Sequence, residues 1–232
     1  MHKLINKILS RLKGFPYQMD SRVPLSYLFS LSSSRAVMFL RGFFSRIKND
    51  GMFFIGKRVT VKARSMMKIG RLVTIHHYCY VDALSTDGII FGNNVSMGKK
   101  VTIECTGNLQ FIGKGMKVGN NVGLGADNFF GCAGGIEIGD DTILGNFISF
   151  HAENHRYSDP VVPIRLQGVT HVGIKVGKNC WVGSKATILD GATIEDGCII
   201  AAGSLVKAGV CKANGIYGGV PAVLIKQRFD HQ

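Results

Sequence analysis

From Val176 onward an aliphatic residue returns every sixth position: Val176, Val182, Ile188, Ile194, Ile200 and Val206. Counting each of these as the first of its hexad, the fifth position is small or β-branched, as at Cys180, Ala186, Ala192, Cys198 and Ser204. The same phase appears upstream in Ile55-Gly-Lys-Arg-Val, Ile69-Gly-Arg-Leu-Val, Phe91-Gly-Asn-Asn-Val, Val118-Gly-Asn-Asn-Val and Ile138-Gly-Asp-Asp-Thr. A six-residue period is neither helical nor a simple strand alternation. It suits short strands joined by tight turns at the Gly-Asn-Asn and Gly-Asp-Asp sites. Three such strands predict a triangular coil of about 18 residues, stacked on the next at roughly 4.8 Å, with the aliphatic positions forming an inward ladder. Cys180 and Cys198 then stack in one inward column, and Trp181, between inward positions, faces outward.

The phase slips near Met66–Met67, at Ser85–Ile90, at Leu109–Ile112 and in Phe129–Gly135. The largest break runs from Arg156 to His171 and holds two of the five prolines. A long excursion from a repeat array is expected to be functional. Ahead of the repeats, residues 23–49 mix apolar and basic side chains. Leu40, Phe43, Phe44 and Ile47 have helical spacing. The predicted organisation is a basic, partly helical N-terminal cap over 1–50, a β-solenoid over 51–210 with an active-site loop at 156–171, and a C-terminal tail over 211–232.

Composition assigns the remaining features. Thirty glycines in 232 residues are nearly double the usual ~7%, without the collagen period, and are expected at the corners of the coils. The formal charge is +13, but residues 1–58 carry eleven basic side chains against Asp20 and Asp50, so most of the charge is N-terminal. No nucleic-acid motif accompanies it. That segment reads as a solenoid cap, a basic amphipathic surface against an anionic membrane, or both. No run approaches the ~18–20 apolar residues of a membrane span, and no signal peptide is evident, so a cytoplasmic protein is expected, with the basic segment able to meet the inner face of the membrane. Six cysteines without a C-x-x-C pair read as small buried hydrophobes.

The chemistry centres on Phe150-His-Ala-Glu-Asn-His-Arg-Tyr-Ser-Asp-Pro, where His151 and His155 stand just ahead of the excursion. Imidazole ordinarily titrates near ~6.5, so it can accept a proton at neutral pH. With Ile138-Gly-Asp-Asp, Asn154-His155, Asn179-Cys-Trp181-Val-Gly183-Ser184, Asp190-Gly-Ala-Thr-Ile, Ala201-Ala202-Gly203-Ser204 and Gly219-Val-Pro221-Ala, this stretch resembles the hexapeptide-repeat acetyltransferases. The resemblance is to the branch that acetylates galactosides, maltose, capsule and O-antigen, and it covers roughly residues 55–225.

That resemblance implies a left-handed parallel β-helix assembled as a homotrimer with active sites between subunits. It implies acetyl-CoA as donor, no metal, and a sugar or glycan hydroxyl as acceptor, in surface polysaccharide or lipopolysaccharide synthesis. His155 is the expected general base, with His151 next. Trp181, Glu153, Asn154, Asp127 and Asn128 are expected at the acceptor, Glu153 also as a partner fixing the imidazole tautomer. Gly183, Ser184, Ala202 and Gly203 are expected along the pantetheine arm, and Lys207, Lys226 and Arg228 at the CoA phosphates. Two other classes stay open. His76 or His77 with His151 and His155 could hold zinc, as in gamma-class carbonic anhydrases of the same fold. A non-catalytic β-helix scaffold is the other, and a different acyl group or an amine acceptor is the nearest enzymatic variant.

Overall fold

The computed structural model describes residues 5–7, 10–11 and 16–229, so Lys3, Lys13 and the last three positions of the expected tail lie outside the described residues. The chain divides into two compact units, Met1–Met38 and Phe39–Gln232. The first holds an exposed Arg22–Asp20 ion pair at 2.6 Å and most of helix α1, Leu25–Phe43. Many apolar side chains of this helix are exposed, including Tyr27, Phe29, Leu40 and Phe43. The helix stops at Phe43, and Ile47, expected to continue its apolar spacing, instead joins the solenoid core. Gly42 and the left-handed backbone of Arg46 mark the change of direction. Among the described residues, no helix is long and apolar enough to cross a membrane.

The second unit is a left-handed parallel β-helix. Among the described residues its first face has eight strands, its second nine and its third seven. On the first face, strands such as Met116–Val118 send their outer two residues inward; on the third, strands such as Phe129–Gly131 send only the middle one. The hydrophobic positions of the six-residue repeat therefore all meet in one continuous core running from Ile47 to Tyr217. Val176, Val182, Ile188, Ile194, Ile200 and Val206 are all buried, Cys180 and Cys198 share the inward column, and Trp181 points out at 52% exposure.

The 18-residue coil is seen from Trp181 to its partner Ile199, but other coils differ. Phe91 pairs with Val118 and Ile138 with Val176, because loops around 105–115 and 153–172 leave the solenoid there and return. Strands also continue past residue 210. Gly215–Gly219 pairs in parallel with Ile199–Ile200, and Ala222–Gln227 folds back antiparallel on it, so most of the expected tail is a closing hairpin.

Corner chemistry follows the expectation for glycine only in part. Positive-φ positions are shared between glycines, as at Gly191, Gly197 and Gly203, and other residues, as at Asn94, Asn121, Asp141 and Phe147. The side chains of Asn93, Asn120 and Asp140 form a ladder, each oxygen accepting the amide of the coil before it at 2.7–3.0 Å. The glycine ahead of such a corner is needed for close approach. A Cβ on Gly139 would stand 2.7 Å from the Gly177 carbonyl carbon of the next coil. Gly139→Ala is therefore expected to lose about 1–3 kcal/mol by overpacking, read as a lower thermal midpoint. Gly107→Ala, whose Cβ meets open space, should stay within about 0.5 kcal/mol of the parent.

Candidate active site

The third face builds the site. Strands Thr102–Glu104, Phe129–Gly131 and Ser149–His151 lie side by side, aligning Glu104, Gly131 and His151 in one row. Gly131 has no side chain, so a trough opens between Glu104 and His151. The Phe129 ring lies 5.5 Å from the His151 ring along its side. Beyond His151 the chain stays extended into Asn154–His155, which pairs antiparallel with Val169–Thr170 to make the stem of the long loop. Extended chain alternates sides, so His151, Glu153 and His155 project together. They line a groove of about 300 Å³ with Glu104, Gly107, Phe129, Gly131 and Ala133.

A second groove of about 660 Å³ is lined by the loop residues Gln110 and Phe111 and by Arg156, Gln167 and His171 from the stem and loop. Glu153 and His171 hydrogen-bond at 2.9 Å. Glu153 was expected to orient a catalytic imidazole, but its partner is His171 rather than His155. Two residues along an extended strand advance about 6.6 Å, which separates Glu153 from His155, whereas the antiparallel return brings His171 alongside.

The structure does not gather all the expected site residues. Asn128, expected at the acceptor, is 1% exposed; its Nδ2 donates to the Gly145 carbonyl and its Oδ1 accepts from the Ile148 amide. It braces a corner and has no face left for a ligand. Asp127 stands at the same corner near Lys100, 3.9 Å away. Asn154 turns away from the groove, its Nδ2 3.4 Å from Asp190 Oδ2. Trp181 lies on the second face between Ile143 and Ile199, outside the groove of His155.

Gly183, Ser184, Ala202 and Gly203 do come together, at the corner between the second and third faces. Gly183 donates to the Ile200 carbonyl and Gly203 to the Ser184 carbonyl, at 2.8 and 2.9 Å. Arg228 is placed elsewhere: its Nη1 donates to the Gly197 carbonyl at 2.7 Å, at the corner between the first and second faces. Lys226 sits in the closing strand, and Lys207 is exposed just after Leu205–Val206. The expected phosphate-binding trio is thus dispersed.

His76 and His77 lie at the corner between Thr74–Ile75 of the second face and Tyr80–Asp82 of the third, three coils from His151, which is roughly 14 Å along the stack alone. His77 Nδ1 accepts the Lys57 amide at 2.8 Å, and partial burial, aided by Lys57, Lys99 and Arg41, lowers its pKa. Among the described residues no three His, Cys, Asp or Glu side chains converge as a metal site. Burial pushes the thiols of Cys79, Cys180 and Cys211 up to about 11, which keeps them protonated and apolar.

Residues 173–208 match the family described as bacterial transferase hexapeptide (six repeats). That match places hexapeptide-transferase repeats in the last coils of the solenoid. The matched repeats carry Trp181, Gly183, Ser184, Asp190, Ala202, Gly203 and Lys207. A Mycobacterium tuberculosis protein named probable acetyltransferase Rv3034c is 31% identical over 129 residues, 55% of this chain and 39% of that protein. The chain therefore spans well under half of that relative's length. Two structures of AntD variants, an N-acyltransferase from Bacillus cereus, superpose at a TM-score of 0.50 each. One contains dTDP and coenzyme A, the other dTDP-4-amino-4,6-dideoxyglucose and coenzyme A. They are 17% and 20% identical to this chain, cover 91% and 85% of it, and are themselves covered over 93% and 89%. At that identity the likeness is one of fold.

Sequence reasoning missed Glu104, Phe129, His171 and the structural part played by Asp190. Glu104 and Phe129 stand at outward positions, so a row-by-row alignment of the coils would have placed Glu104 in the row of His151 and Phe129 in the adjacent row of Ser149. His171 carries no such signal, because the repeat phase is lost across the excursion.

Proposed function

We propose that this protein transfers acetyl from acetyl-CoA to a sugar hydroxyl, with His155 as general base. The observation that carries this reading is His155 on a braced stem, open to a groove beside the repeat coils. The proton of the acceptor hydroxyl passes to an imidazole nitrogen of His155. The hydroxyl oxygen bonds to the thioester carbonyl carbon, and the tetrahedral adduct then breaks its C–S bond. The imidazolium returns the proton to the departing CoA thiolate, so atoms and charge balance. Small residues at Gly183, Ser184, Ala202 and Gly203 leave backbone groups accessible to an extended pantetheine arm. The name of the Mycobacterium relative supports acetyl transfer, and coenzyme A in the AntD structures supports the donor class.

One chain leaves Trp181 outside the groove of His155. This supports a homotrimer in which a neighbouring subunit completes the site, using the exposed apolar residues Ile143 and Trp181 of the second face. The exposed aromatic side chains of α1, with Arg41, support contact of a cytoplasmic enzyme with a membrane surface. A product in surface polysaccharide or lipopolysaccharide fits such a location.

The test is a panel of nucleotide sugars, amino sugars and oligosaccharides incubated with acetyl-CoA, with free thiol release as the signal. Turnover on a hydroxyl acceptor is expected. Turnover only on amino sugars moves the acceptor to an amine. One equivalent of zinc per chain with carbon dioxide hydration, or neither turnover nor a thermal shift with acetyl-CoA, overturns the proposal.

A further inference from the structure

We propose that Asp190 is a positioning residue that aims His155 by clamping both ends of the loop stem. This rests on the acetyltransferase reading for its catalytic consequence, but not for its geometry. Asp190 directly follows Thr187–Leu189, the strand stacked on Ser149–His151 with Leu189 opposite His151. It therefore lies over the point where the chain leaves the solenoid for the excursion. Asp190 is 2% exposed, and a carboxylate so buried needs several donors.

Those donors come from both arms of the excursion. Oδ1 accepts the Gly173 amide at 2.7 Å and the Val172 amide at 3.0 Å, where the chain re-enters the solenoid. Oδ2 accepts the Val172 amide at 3.0 Å and Asn154 Nδ2 at 3.4 Å, where the chain leaves it. No ion pair to Asp190 appears among the described residues, so neutral donors alone hold it. On the opposite side of the stem, Glu153 and His171 tie the same two arms at 2.9 Å.

The consequence for His155 follows from strand alternation. Asn154 held toward Asp190 obliges its neighbours Glu153 and His155 to face the other way, into the groove. A slip of one residue in the Asn154–Thr170, His155–Val169 pairing would turn His155 away from the groove. Asp190 fixes Asn154 and residues 172–173 to one rigid coil, and thereby fixes that register. Its contacts are to the stem, and it does not line the groove.

The test uses the full chain with 13C-labelled histidine, in Asp190→Ala and Asn154→Ala variants, the His155 signal being assigned by His155→Ala. Both variants are expected to shift the His155 ring signal without substrate. In Asp190→Ala, trypsin should cut after Arg156 and Arg165 at least about 5-fold faster as the stem opens locally. With an acceptor, kcat should fall at least about 10-fold while KM for acetyl-CoA stays within about 2-fold, the pattern of lost orientation. In a His155→Ala background, Asp190→Ala should cost nothing further. Asn154→Ala leaves the Val172 and Gly173 bonds intact, so it decides the matter if Asp190→Ala does not fold. An unmoved His155 signal overturns the proposal. A moved signal in a protein that transfers no acetyl group keeps the clamp and removes the acetyltransferase reading.

Discussion

Replacing His155 with alanine is expected to lower acetyl transfer by about 10²–10⁴-fold, the usual contribution of a positioned general base. The loss should fall on kcat, because the corner formed by Gly183, Ser184, Ala202 and Gly203 is built by other coils and keeps its backbone contacts. Stability should change by less than about 0.5 kcal/mol, since His155 is exposed on the stem and no core side chain depends on it. Steady-state kinetics with saturating acetyl-CoA, beside thermal unfolding of the same preparation, separates these effects. His151→Ala provides the contrast. His151 is exposed beside Phe129 on the solenoid wall, so its removal should raise acceptor KM more than it lowers kcat. Full turnover in His155→Ala would remove it as the base, and abolition by His151→Ala would transfer the role.

The parts of this molecule that repeat were legible, and the parts that interrupt the repeat were not. Val182 and Ile188 could be placed inside and Trp181 outside because hexad phase alone fixes which side of the wall a residue occupies. Chain position along the solenoid was less readable. Extra residues can bulge at a corner without disturbing the ladder, so Ile69 pairs with Phe91 as regularly as Trp181 pairs with Ile199. Phase also says nothing about an excursion's return, which is why the Glu153–His171 bond had no counterpart in the sequence. Asn128 shows the opposite failure. A polar residue at a corner reads the same whether it meets a ligand or braces the backbone, and only its two bonds to Gly145 and Ile148 decide. Glycine divided similarly: the need for small size at Gly139 is steric contact with the next coil, which a single hexad cannot display.

The largest stability loss is expected from Phe150→Ala. Phe150 is fully buried in the middle of Ser149–His151, the strand that leads into the stem of His155. Its ring stacks on Phe130 of the previous coil with centroids 5.0 Å apart and planes 18° from parallel, and its other neighbour in the ladder is Ile188. Truncation removes apolar contacts on two coils and leaves a cavity that neither coil can fill without leaving register. Phe→Ala in such a core costs about 3–5 kcal/mol. For a unit of this size that corresponds to a thermal midpoint lower by roughly 6–20 °C. Val161→Ala, 88% exposed in the excursion, should change stability by less than about 0.5 kcal/mol. Phe150→Leu retains most of the apolar volume and should fall between them. Because neighbouring coils supply each other's hydrogen-bond partners, the cavity should loosen the ladder nearest Phe150 before distant coils. Hydrogen exchange should therefore accelerate first at the amides of Phe129, Gly131, Ser149 and His151. Equal acceleration from Ile55 to Tyr217 would mean that the solenoid unfolds as a single cooperative unit, and a midpoint as high as the parent's would remove the Phe130–Phe150 stack as a determinant of stability.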